Sequence, residues 1–144
     1  MSSTSTPTRL QPVDLRSLRD AIVDTAGTLA VVGAGTAAGW AGRPASVDAV
    51  LDTTRLRGII THNPGDMKVS VRAGTPLREL AVELAEHHQR VVLDAARVAA
   101  GATVGGLIAT GDAGPAALRY GSLRDLVIGM TMVLSDGTVA RSGG

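Results

Sequence analysis

The sequence predicts an α+β fold in which two amphipathic helices and several short strands are joined by glycine-rich loops. Three observations carry that expectation. Apolar residues recur at helical spacing in Leu15, Leu18 and Ile22, and again in Leu77, Leu80 and Leu84. The runs between them are short and rich in Val, Ile and Thr. The chain holds 18 glycines in 144 residues, and they cluster where the backbone has to turn.

Taken in order, residues 1–12 read as a disordered tail, because Met1 to Thr8 is rich in Ser and Thr and has no apolar segment. Asp14 to Val23 is a helix after a Pro12 start signal, and Gly27 ends it. Thr28 to Val32 is a strand stopped by Gly33-Ala34-Gly35-Thr36, with Gly39, Gly42 and Pro44 prolonging the loop. A second strand runs over Val47 to Asp52. Gly58 to His62 and Met67 to Arg72 flank a turn at Asn63-Pro64-Gly65-Asp66 and read as a hairpin. Thr75 is placed as N-cap and Pro76 as first residue of the helix carrying Leu77, Leu80 and Leu84. Val91-Val92-Leu93 reads as a short buried strand, and Thr103 to Ala109 as a short helix. Leu126 to Leu134 is a longer β-rich run that turns at Asp136-Gly137 into Thr138-Val139-Ala140.

Composition bounds the function. Lys and Arg total 14 against 13 Asp and Glu, so no basic field exists to hold nucleic acid. Trp40 and Tyr120 are the only aromatics, which also removes base-stacking platforms. The chain has no cysteine, hence no disulfide, thiolate metal site or cysteine nucleophile, and the cytoplasm is the expected compartment. Val98 to Gly111, an uncharged stretch rich in Gly and Ala, is shorter than a membrane helix requires.

Two loops carry the chemistry. In Val31-Val32-Gly33-Ala34-Gly35-Thr36 the absence of side chains lets backbone N–H groups approach a phosphate. A Rossmann domain binding NAD is one alternative, with Asp52 in the place of the ribose-binding acid. It needs a helix opening directly from the loop, and Gly39, Gly42 and Pro44 oppose that helix. A glycine turn without ligand is the other alternative. Gly101-Ala102-Thr103-Val104-Gly105-Gly106 is a second such segment, opening a short helix. Arg119-Tyr120-Gly121-Ser122-Leu123-Arg124-Asp125 adds cations, hydroxyls and a carboxylate, and reads equally as a solvated polar connection.

The order of Gly33 to Thr36, Trp40-Ala41-Gly42-Arg43-Pro44, Leu51-Asp52-Thr53, Val71 to Pro76, Gly101 to Gly106, and Arg119 to Ser122 with Asp125 resembles the FAD-binding domain of the vanillyl-alcohol oxidase (PCMH-type) flavoprotein family. Within it, the likeness is to glycolate-oxidase-type FAD-binding subunits, and it covers Leu29 to Gly144. The resemblance implies an FAD cradle of two small α/β subdomains over residues 13–144, incomplete at its C-terminus. It implies pyrophosphate contacts from Val32, Gly33, Ala34, Gly35, Thr36 and Ala37, and from Gly101, Ala102, Thr103, Val104, Gly105 and Gly106. Gly111, Arg119, Tyr120, Gly121, Ser122 and Asp125 would lie near the flavin and its ribityl chain, and Ile128 on the adenine side. Family members of this type pass a hydride from a 2-hydroxy acid such as glycolate to the flavin, so the implied reaction is that of an oxidoreductase.

The sequence departs from that family in several places. Thr36 stands where some relatives carry the histidine that tethers FAD, so binding is expected to be noncovalent. Ala37-Ala38 replace a polar or basic residue, and Ala95-Ala96-Arg97-Val98 replaces a proline-rich link. The sequence reaches Gly144 before any substrate domain, which leaves no catalytic residue to name. A second subunit carrying substrate or electron-transfer functions is one expectation, with any membrane association through that partner. An FAD-binding module or inactive fragment is the other. His87 and His88 follow the Leu77–Leu84 helix and suit its carbonyl end, His62 reads as solvated, and none has metal-ligand spacing. Arg97 and Asp112 have no partner legible in the sequence.

Overall fold

The computed structural model describes residues 6–40, 42 and 46–143. Strand β1 (Thr8–Leu10) leads into helix α1 (Leu15–Val23) and strand β2 (Leu29–Val32), and β3 (Ala49–Asp52) follows. These strands form a parallel sheet in the order β1-β3-β2, with Leu10 opposite Leu51 and Val32 opposite Asp52. The hairpin β4 (Ile59–Asn63) and β5 (Lys68–Val71) comes next, then α2 (Leu77–Ala85), α3 (Val104–Thr110), and the one-turn helices α4 (Ala117–Tyr120) and α5 (Leu123–Leu126). A second antiparallel hairpin, β6 (Gly129–Val133) and β7 (Val139–Gly143), ends the described chain. The class is α+β.

The apolar stripe of α2 seeds the main core. Leu77, Leu80 and Leu84 are buried with Ala95, Ala102, Leu107 and Leu123, and Ile59, Val69 and Val71 of the hairpin pack against them. Thr75 does not cap this helix. Its Oγ1 accepts the Gly58 N–H at 2.9 Å, and the first helical N–H, that of Leu77, donates to Ala102 O at 3.0 Å. Tertiary partners thus replace the local cap, and Pro76 takes the N-cap position. Val91 to Leu93 is not a strand. Leu93 N–H donates back to Val91 O at 3.0 Å, a curl that points both side chains into the core without a neighbouring strand to pair with.

The expected tail over residues 1–12 contains β1. Residues 1–5 lie outside the described part, but Thr8 N–H donates to Asp48 O and the strand adds to the sheet edge. Asp52 holds it there. This carboxylate, 1% exposed, accepts from Arg9 Nε at 3.0 Å, Arg9 Nη2 at 2.6 Å and Gln11 Nε2 at 2.7 Å, and from the N–H and hydroxyl of Thr54. Short polar sequences carry no apolar signal for such a strand. One buried acid supplies the attachment instead.

Burial by itself raises the Asp52 pKa, and the donors from Thr54, Gln11 and Arg9 outweigh it, holding the carboxyl well below the usual carboxylate range. A depressed folded-state pKa contributes stability above the ordinary carboxylate value of about 3.9, and that contribution is lost as pH falls below it. Asp52→Asn keeps the Thr54 bonds and loses the charge, so it should lower stability at neutral pH by about 1–3 kcal/mol. Chemical-denaturation curves from pH 7 to pH 2 check this, with the difference between the two proteins shrinking at the acid end.

Candidate functional site

The loop leaving β2 is built by glycine. Gly33 has no room for a side chain, since a Cβ there would stand 2.6 Å from Thr103 Oγ1. Gly35 adopts φ +73° with open space around it. Two hydrogen-bonded turns follow, Ala38 N–H to Gly35 O and Trp40 N–H to Ala37 O, and no helix opens directly from the loop. Among the described residues, the N–H groups of Ala34, Gly35, Thr36 and Ala37 make no hydrogen bond. Ala34 and Gly35 are exposed, while Thr36 and Ala37 are half-buried. This is a run of four unengaged donors on a fixed bend.

The second glycine segment meets the first through Gly33 and Thr103, but its amides are largely engaged. Gly101 donates to Val98 O, Ala102 to Arg97 O, Val104 to Thr75 O, Gly105 to Ala73 O, and Gly106 to Thr103 Oγ1. Only the Thr103 N–H in this segment has no partner among the described residues. Gly105 is glycine for packing, because a Cβ there would lie 2.9 Å from the Ala73 Cβ. The segment expected to donate amides to a ligand is chiefly the wall against which the first loop is set.

The third group is organised by α4 and α5, which are too short to leave a periodic signal in sequence. Gly121 turns the chain at φ +84°, and the Asp125 carboxylate accepts the Ser122 N–H at 2.7 Å and the Ser122 hydroxyl at 2.9 Å. Those bonds lower the Asp125 pKa. Arg119 lies over the Tyr120 ring at 5.6 Å, and both residues are exposed. Gly111 closes α3 in the left-handed region at φ +60°. Ile128 is 67% exposed at the entry to β6.

Arg97 and Asp112 find each other, at 3.0 Å between Nη2 and Oδ2, and the Arg97 guanidinium stacks over Trp40 at 3.3 Å from the ring centre. Nothing in the spacing of these three residues along the chain announces the cluster. His62 is half-buried rather than solvated, with Nε2 2.9 Å from Gln89 Oε1 and its ring edge-on to His87 at 4.9 Å.

A row of unengaged backbone donors on a glycine bend suits a diphosphate, whose oxygens accept several N–H bonds at once. The FAD binding domain family matches residues 11–143. The chain belongs to that family. It is 32% identical to glycolate oxidase subunit GlcE of Escherichia coli over 130 residues, covering 90% of this chain and 36% of that protein. It is 32% identical over 87 residues to the mitochondrial D-lactate dehydrogenase (cytochrome) 1 of Saccharomyces cerevisiae, covering 60% of this chain and 14% of that one. Among solved structures, berberine bridge enzyme from Eschscholzia californica superimposes on 99% of the chain with TM-score 0.80 at 17% identity, using 29% of its own length. The 6-hydroxy-D-nicotine oxidase of Arthrobacter nicotinovorans does so on 96% with TM-score 0.77 at 18% identity, using 31% of its length. At such identities the two structures speak to fold.

As an FAD binding domain, the chain takes FAD as its cofactor, and the NAD-binding Rossmann alternative falls. Asp52 could not serve that alternative in any case, since Arg9, Gln11 and Thr54 saturate its oxygens. Trp40 and Gly42 are described, whereas Ala41, Arg43 and Pro44 of the same motif lie outside the described residues. No helix of the described residues is long and apolar enough to cross a membrane. Gly33→Ala should force the loop off Thr103, costing about 1–3 kcal/mol as an overpacked site and weakening FAD by about tenfold or more. Gly39→Ala, with nothing within 4 Å of the added methyl, is the control and should change neither quantity. Thermal melts of the apo chain and flavin-fluorescence titrations read both effects.

Proposed function

We propose that the chain holds FAD noncovalently, as the cofactor domain of an oxidoreductase that removes a hydride from the α-carbon of a 2-hydroxy acid such as glycolate. The observation that carries the proposal is the loop of free amides from Ala34 to Ala37, which offers donors and no nucleophile to the cofactor. Neither glycine segment contains a histidine or cysteine, and His62 and His87 are engaged with Gln89 and with each other. Ala34 to Ala37 and the Thr103 N–H would hold the diphosphate, and the segment from Arg119 to Asp125 would lie along the flavin side. Bound flavin supplies hydride acceptance. The chain's own residues bind and orient, and no side chain of theirs is placed as a general base.

The relatives support the substrate class by their names, a glycolate oxidase subunit and a D-lactate dehydrogenase, and the chain spans 36% and 14% of their respective lengths. The substrate-binding residues would therefore come from further protein, either a domain or a second subunit. The hairpin β6–β7 suits such a neighbour: Met130, Met132, Leu134 and Val139 are all exposed. A cytoplasmic setting, with any membrane association through the partner, accords with this reading.

Acid precipitation of the flavin-loaded protein should leave all yellow colour in the supernatant, and colour retained in the pellet means covalent attachment. For the substrate class, glycolate or D-lactate added anaerobically to the intact holoprotein should bleach the flavin absorption. A flavin that dithionite reduces but neither 2-hydroxy acid bleaches would remove that class and leave FAD binding intact.

A further inference from the structure

The free-amide loop is pinned at both ends, and the two pins differ in kind. At its start, Gly33 abuts Thr103, a contact of backbone against a side chain that is 2% exposed. At its end, Trp40 meets Arg97, which pairs with Asp112. The Arg97 side chain is 12% exposed and that of Asp112 is 10% exposed, so this is a largely dehydrated pair. The pair is imperfect on its own. Arg97 Nη1 has no hydrogen-bond partner among the described residues, and Asp112 Oδ2 meets Nη2 at 3.0 Å outside hydrogen-bond alignment. Nη2 also donates to Thr110 Oγ1 at 3.4 Å, and the Trp40 ring face covers the guanidinium with its carbon 3.3 Å from the ring centre.

Trp40 has little else to hold it, being 61% exposed. Its position matters because the chain from Gly35 to Trp40 is a relay of two turns, with Ala37 O accepting from Trp40 and Gly35 O accepting from Ala38. Fixing the indole therefore fixes Ala37 and Gly35, which carry two of the four free amides. Arg97 precedes the second glycine segment, accepting the Ala102 N–H at its carbonyl, and Asp112 follows α3, donating its N–H to Leu107 O. The cluster thus ties the loop to both flanks of the α3 wall.

We propose that Trp40, Arg97 and Asp112 form a clasp of positioning residues that holds the first glycine loop in its diphosphate-binding shape, so that the Trp40 ring face sets FAD affinity. The proposal rests on the FAD reading above. It predicts a requirement for a flat ring over a flat cation, and for neither tryptophan as such nor positive charge as such. Trp40→Phe keeps the ring face and should bind FAD within about twofold of the unaltered chain. Trp40→Ala should bind about threefold to thirtyfold more weakly, the range for a lost cation–π contact. Arg97→Lys keeps the charge and loses the planar stack, and should resemble Trp40→Ala.

The experiment is a flavin-fluorescence titration of the full chain and these three variants, paired with acrylamide quenching of apo-chain fluorescence, which reports Trp40 as the sole tryptophan. Arg97→Lys should raise quencher access to Trp40 while leaving the circular dichroism spectrum unchanged. Weakened binding in Trp40→Ala and Arg97→Lys with rescue in Trp40→Phe supports the clasp. Equal affinity in the unaltered chain and a folded Trp40→Ala overturns it and spares the FAD reading, whereas no saturable binding by the unaltered chain overturns that reading. Should Trp40→Ala fail to fold, the Arg97→Lys titration decides alone, and affinity equal to the unaltered chain overturns the clasp.

Discussion

Thr103 stands where three parts of the chain meet, and the close approach of Gly33 to its hydroxyl sets the distance between them. The residue is 2% exposed, pairs across an isolated bridge with Pro76, and accepts the Gly106 N–H at 3.2 Å to start α3. Through Pro76 it fixes the entry to α2 and hence the leucine stripe of the main core. Through Gly33 it fixes where the parallel sheet ends. A side chain at 33 would separate the sheet from the core by the width of a methyl group, and everything the loop presents would move with it.

That contact explains why two glycine segments of similar appearance behave differently. In the first, glycine frees backbone: Gly35 takes a positive φ and the following amides remain open. In the second, glycine removes bulk, since Gly105 lies against Ala73 and its N–H donates to Ala73 O at 2.8 Å. One segment presents donors, and the other spends them on Val98, Arg97, Thr75, Ala73 and Thr103. A loop whose donors are backbone groups depends on contacts at its ends for its shape. Its rigidity comes from what abuts its ends, Thr103 against Gly33 and Arg97 against Trp40.

Much of this was legible in sequence wherever the signal is local. The helix over 15–23, the β4–β5 and β6–β7 hairpins and the α2 stripe all follow from spacing and turn residues that act over a few positions. The glycine segments were visible for the same reason. What escaped was long-range. The tail became β1 because Asp52, far along the chain, gathers Arg9 and Gln11. Thr75 gave up a cap for a bond to Gly58. Trp40, Arg97 and Asp112 are near in space only, and no periodicity relates them. The helices α4 and α5 are single turns, below the length at which a pattern can repeat.

The carboxylates give the arrangement its electrostatic sense. An amide loop that is to hold an anion is spoiled by an unpaired acid nearby, because like charge and competition for donors both act against it. The acids flanking the candidate segments are all occupied. Asp52 is saturated by Arg9, Gln11 and Thr54 at the end of β3, Asp94 accepts the Ala116 N–H at 3.0 Å before the second segment, Asp112 faces Arg97 after it, and Asp125 accepts twice from Ser122. Each is thereby turned toward its own turn, cap or ion pair. A chain with 13 acidic residues and almost no net charge keeps one backbone loop uncontested in this way. The openness of the loop then depends on where the negative charges are committed as much as on where the free N–H groups lie.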